Sequence, residues 1–115
     1  MSRTIIVARI RPGTEREVAR IFGASDATPL PEIIGVRQRS LYSLNDLYVH
    51  VVDIDDGDEP QPETLERARA LAGFKQVCED LAPYISPYDS TWGRPQDAVA
   101  TEFYRWTPGV AVPAA

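Results

Sequence analysis

The sequence predicts an α+β fold with the order β-α-β-β-α-β. This is the ferredoxin-like arrangement, a four-stranded antiparallel sheet with helices on one face. Three observations predict it. Apolar runs rich in β-branched residues open the chain and recur as a pair in its middle. Two stretches place apolar residues at helical spacing. Pro and Gly mark the boundaries between these segments. The length, 115 residues, suits one domain with its own core. We assign residues 1–107 to that domain and expect 108–115, rich in Pro and Ala, to be a mobile tail.

RTIIVARI, Arg3 to Ile10, reads as the first strand, and Pro12-Gly13 breaks it. Thr14 followed by Glu17 has the spacing of a capping box, and Val18, Ile21 and Phe22 continue at helical period. That helix is expected to end near Ala24, because Pro29 and Pro31 prevent its continuation. Ile33–Leu44 and Leu47–Ile54 read as two strands joined at Asn45-Asp46. Glu63 to Leu81 has a helical stripe with a joint at Gly73, and Pro83 and Pro87 end it. SPYDSTWGRPQ then reads as a loop and Ala98–Trp106 as the last strand. Along the first strand Ile6, Ala8 and Ile10 alternate with Ile5 and Val7. Both faces of the sheet are therefore apolar, and a second copy of the chain is the simplest cover for the face without helices.

Composition narrows the function. A net charge of −5 argues against a nucleic-acid partner, which needs clustered Lys and Arg. The lone cysteine, Cys78, excludes an intrachain disulfide and leaves no Cys/His set for structural zinc. No secretory segment and no apolar run of about 18 residues is present, so a reducing cytoplasm and no membrane are expected. DIDDGDEPQPE, from Asp53, reads as a solvated acidic loop from its Gly and Pro breakers, and a divalent-metal loop is disfavoured because the residue order of a calcium-binding EF-hand is absent.

The chain has one histidine, His50. It alternates with Tyr48 and Val52 on one face of its strand. A hairpin loop of two or four residues puts Arg37 and Arg39 on that same face, whereas a loop of three separates them. Such a histidine is either packed in the core with its nitrogens satisfied or a catalytic base, and the residues alone favour packing. Arg37 and Arg39 are either edge charges that discourage strand aggregation or site residues. Buried, Arg39 needs a partner, and Asp26 at the end of the first helix or a ligand would serve. Aromatic residues gather late in the chain, with Tyr48 and Trp92 among them, and aromatic walls with a few polar groups suit a flat, oxygen-rich ligand.

PLPEIIGVRQRSLYSLNDLYVHVVD, GFKQVCEDLAPYISPYDSTW and the closing EFYRW resemble, in order, the tetracenomycin-type aromatic polyketide cyclases of actinobacteria. The resemblance runs from Ile5 to Trp106. It implies a ferredoxin-like homodimer, a dimeric α+β barrel, with a ligand pocket between sheet and helices and no cofactor or metal. It implies regiospecific aldol condensation and dehydration of a partly cyclised poly-β-ketone in antibiotic or pigment biosynthesis. The partner is then an aromatic polyketide intermediate, with the synthase or its acyl carrier protein as a further candidate. The polar site carries over onto His50, Arg39 and Asp26 as catalytic residues. Beside them we expect Tyr48, Trp92 and Arg37 as substrate contacts from their placement, and Ser25 as a hydrogen-bond donor. In the family a histidine stands directly before the aspartate. Here that place is Ser25, which removes a two-histidine mechanism and leaves open which ring is closed.

The implied chemistry suits these side chains. A carbon between two carbonyls yields its proton to a modest base such as neutral imidazole. An arginine can stabilise the enolate. Two rival readings remain. One is a cofactor-independent monooxygenase of the same fold, which consumes dioxygen. The other is a non-catalytic accessory protein that steers spontaneous ring closure.

Overall fold

The computed structural model describes residues 2–55 and 72–109. Strand β1 (Ser2–Ile10) leads into helix α1 (Glu15–Asp26) and a short helix α2 (Leu30–Ile34). A hairpin of β2 (Val36–Leu44) and β3 (Leu47–Ile54) follows. Helix α3 (Ala72–Leu81), strand β4 (Ile85–Pro87) and a 3₁₀ turn (Pro95–Ala98) complete the described elements. The sheet runs in the order β2-β3-β1-β4, with every pairing antiparallel. This is the ferredoxin-like order expected from the sequence.

Alternation along β1 and β3 divides the sheet into two faces. Ala8, Ile10 and Tyr48 meet Val18 and Phe22 of α1, and Val77 and Leu81 of α3 close over them. Val18 and Phe22 are four residues apart and therefore share the inward stripe of α1. Burying a side chain of this size contributes roughly 1.5–3 kcal/mol. On the outer face Ile5, Val7, Val49 and Val51 are half-buried, and Tyr42 and Leu44 are exposed.

Several local expectations are corrected. The capping box does not form. The Thr14 hydroxyl donates to the Arg11 carbonyl at 2.6 Å instead, and α1 has no side-chain cap. Helix α1 extends to Asp26, because the prolines act only on the following turn. There Pro29 caps α2, which occupies residues expected to open the second strand. Gly35 then turns the chain at φ 93°. A Cβ at Gly35 would collide with the Asp55 carbonyl oxygen, and Asp55 donates its N–H to the Gly35 carbonyl at 2.7 Å.

The fourth strand is Ile85–Pro87, not Ala98–Trp106. Among the described residues it pairs only with Ala8–Ile10, and as an edge strand it tolerates a terminal proline. Beyond it, Val99 bridges Ile6 and Ala100 donates to the Ile5 carbonyl at 2.7 Å, after which the chain leaves the sheet. Asp53 is a buried member of β3 rather than part of a solvated loop. Arg3, directly opposite, grips it with contacts of 2.7 and 3.0 Å. That contact holds the Asp53 carboxyl below its ordinary pKa. The remainder of the acidic stretch from Asp56, the helical segment expected from Glu63 to Leu71, and tail residues 110–115 lie outside the described residues.

Candidate active site

The β2–β3 turn decides which side chains meet. Leu44 pairs with Leu47 across the two residues Asn45 and Asp46, and Asn45 adopts φ 55°. An even loop sets odd positions of β2 opposite even positions of β3. Leu41 therefore faces His50 and Arg39 faces Val52, all on the helix side. Asp26, on the last turn of α1, comes down onto the same place.

The three polar side chains form a line. Arg39 Nη2 and Nε contact Asp26 Oδ1 at 2.9 and 3.2 Å, and Nε reaches Oδ2 at 3.1 Å. On its other side Arg39 Nη1 lies 3.0 Å from His50 Nε2. A guanidinium only donates, so Nε2 accepts and the imidazole proton sits on Nδ1. His50 is 7% exposed. Burial, and then the Arg39 charge, push its pKa down to about 4, while Asp26 opposes them. The imidazole is therefore neutral at pH 7.

Aromatic rings hold this line in place. The Arg39 guanidinium carbon stands 4.9 Å above the Phe22 ring centroid. Phe22 also meets His50 at 5.2 Å in a T-shaped contact, and Tyr48 meets it from β3 at 6.3 Å. Phe22 is the contributor that sequence reasoning missed, since its apolar spacing signals only core. The available clue was its position four residues before Asp26, on the same helical face. Tyr48 is 4% exposed, and burial raises its pKa, so its hydroxyl keeps its proton.

The remaining candidates are placed differently. Ser25 is half-buried beside Asp26, and its carbonyl accepts from Thr28 N and Oγ1 at 3.0 and 2.6 Å. Arg37 falls in a register shift between Val36 and Gln38 and reaches Asp55 at 3.8 Å, away from His50. Trp92 packs on Tyr88 at 6.0 Å, and Tyr88 lies 4.6 Å from the Arg9 guanidinium. Arg9 alternates with Ala8 and Ile10, so this aromatic pair belongs to the outer face. Among the described residues no group of three or more His, Cys, Asp or Glu could hold a metal ion, and no helix is long and apolar enough to cross a membrane.

With this geometry in view, the likeness to known proteins is informative. The chain is 44% identical over 108 residues to an uncharacterized protein of Streptomyces coelicolor, covering 92% of this chain and 95% of that one. It is 38% identical over 105 residues to tetracenomycin F2 cyclase of Streptomyces glaucescens, covering 91% and 94%. The solved structure of that type II polyketide cyclase superposes with a TM-score of 0.82, covering 93% of this chain and 98% of the other at 36% identity. Residues 2–107 match the family model described as polyketide synthesis cyclase, and the chain belongs to that family.

Proposed function

We propose that this protein is an aromatic polyketide cyclase that closes a ring of a partly cyclised poly-β-ketone by intramolecular aldol condensation and loss of water. The observation that carries this reading is the unbroken contact path from Asp26 through Arg39 to His50, backed by Phe22. In the resting site Arg39 occupies the Nε2 lone pair, so His50 is not yet a free base. A substrate carbonyl oxygen competes for that guanidinium N–H and releases Nε2.

The proton on a carbon flanked by two carbonyls then passes to Nε2, and the electron pair becomes an enolate held by Arg39. Displacing the guanidinium from the imidazole raises the proton affinity of His50, and the enolate formed by the transfer stabilises the new imidazolium. The enolate carbon attacks a second carbonyl, and the new alkoxide takes the proton back. Loss of a second α-proton and of hydroxide releases water. Asp26 keeps Arg39 aimed throughout. Holding one carbon–carbonyl pair near attack distance decides which ring forms, and such orientation supplies up to about 7–11 kcal/mol in well-positioned cases.

The working form on this reading is a cytoplasmic homodimer joined through the outer sheet face, with the synthase or its acyl carrier protein delivering substrate. The apolar outer face supports the dimer, as does the exposed run Phe103, Tyr104 and Trp106, at 97%, 77% and 61% exposure. The test is anaerobic incubation of the purified protein with a bicyclic poly-β-ketone. A product lighter by one water is expected, and a requirement for dioxygen would favour the monooxygenase reading. His50→Ala and Arg39→Ala proteins should fold but lose turnover or change regiochemistry. Full rate and unchanged regiochemistry in both would leave only a steering role.

A further inference from the structure

A cleft of about 180 Å³ opens between the start of α1 and strand β2. Val18 and Ala19 form one wall and Leu41 the other, with Glu15 and Ser43 as polar members and Tyr48 also lining it. An apolar cavity of roughly 150 Å³ admits benzene, so this space has room to seat one substituted six-membered ring. Tyr48 is more than nine-tenths buried, and its hydroxyl has no hydrogen-bond partner among the described residues. The hydroxyl itself is not sealed off, so it is open to a ligand oxygen placed in the cleft. The cleft adjoins the polar line directly, since Tyr48 contacts the His50 ring and Leu41 pairs with His50 across the strands.

We propose that this cleft is a one-ring subsite that takes a ring of the substrate already closed and bearing phenolic or ketonic oxygens. This rests on the cyclase reading above. The Tyr48 hydroxyl donates to a ring oxygen, and burial keeps it protonated for that task. Ser43, directly opposite Tyr48 across the hairpin, and the Glu15 carboxylate can accept from phenolic hydroxyls. With one ring seated here, the uncyclised part of the chain extends toward Arg39 and His50. Side-chain volume at Ala19 and Leu41 would then set which ring is accepted.

The probe is 2,4-dihydroxyacetophenone, a single ring with one ketone and two phenolic hydroxyls, titrated into the full chain and followed by backbone amide shifts. The largest shifts are expected at Val18, Ala19, Leu41 to Ser43 and Tyr48. Ala19→Phe, which fills the cleft from an exposed helix position, should weaken binding more than about tenfold, with Ala19→Leu intermediate. Tyr48→Phe should weaken it about two- to tenfold. The probe has nothing to cyclise, so its binding reads the subsite independently of the acid–base assignment. Wild-type affinity in both Ala19→Phe and Tyr48→Phe, or shifts gathered elsewhere, would overturn the proposal.

Discussion

Arg39 Nη1 stands 3.0 Å from His50 Nε2, and this one contact settles the tautomer of the only imidazole in the chain. It also joins two strands and a helix into one unit, because the same guanidinium holds Asp26 of α1. Arg39 touches the site on three sides: a carboxylate, an imidazole and the face of Phe22. Lysine can supply the charge but not this fork. Arg39→Lys should therefore keep the fold and lose about 10²–10³-fold in kcat, the scale of removing one oxyanion donor. Turnover within about threefold of the parent would show that the fork is not used.

The depressed pKa of His50 has a consequence for stability. Its folded value is about 4 and its unfolded value about 6.5. Between these the unfolded chain binds more protons, so stability falls as pH drops through that window and is fully retained above it. The effect is on the order of 3 kcal/mol across the window. Denaturant melts at pH 7 and pH 4 should show this loss in the parent, and it should shrink in His50→Gln. An equal loss in that variant would place the acid sensitivity elsewhere.

Phe22 should act as a positioning residue for the guanidinium. Phe22→Leu keeps most of the buried volume and should cost only about 1 kcal/mol of stability. It removes the ring beneath Arg39, so the contact with Nε2 loosens. Proton and nitrogen NMR of the single histidine reads this directly. We expect the His50 midpoint to move up from about 4 and the Nδ1–H tautomer to lose its dominance. An unchanged midpoint and tautomer would reduce Phe22 to packing.

Gly35 is expected to be the least replaceable glycine described. Gly35→Ala must adopt φ 93° and also clear the Asp55 carbonyl oxygen. The left-handed conformation alone costs about 1–2 kcal/mol, and displacing paired backbone adds to it. Thermal unfolding should fall by several degrees, whereas Gly13→Ala, where a Cβ meets nothing, should incur only the conformational cost.

The outer face gives a test of assembly. Val49 pairs with Val7 on one side and Tyr42 on the other, at the middle of the exposed apolar layer. If the proposed dimer uses this face, Val49→Asp should give a monomer in light scattering while leaving the helix-side core intact. A variant that still elutes as a dimer would place the interface elsewhere.

The first strand, the two strands of the central hairpin and the stretch that became α1 could be read from the residues, because alternation and helical period are properties of neighbours along the chain. The same locality made the meeting of Arg39 and His50 legible: once the hairpin loop is even, parity alone puts them on one face. Arg37 obeyed that rule on paper and departs from it in three dimensions. Gly35 docks against Asp55, and the register slips between Val36 and Gln38. The short fourth strand was invisible for a related reason. Ile85–Pro87 has too few residues to display a period, and it pairs because the β1 edge at Ala8–Ile10 lies open to it. Phe22 beneath Arg39, Trp92 on the far face and the cleft beside Tyr48 likewise depend on which surfaces approach across the fold. Contacts between residues distant in sequence are chosen by packing, and no pattern of adjacent side chains encodes them.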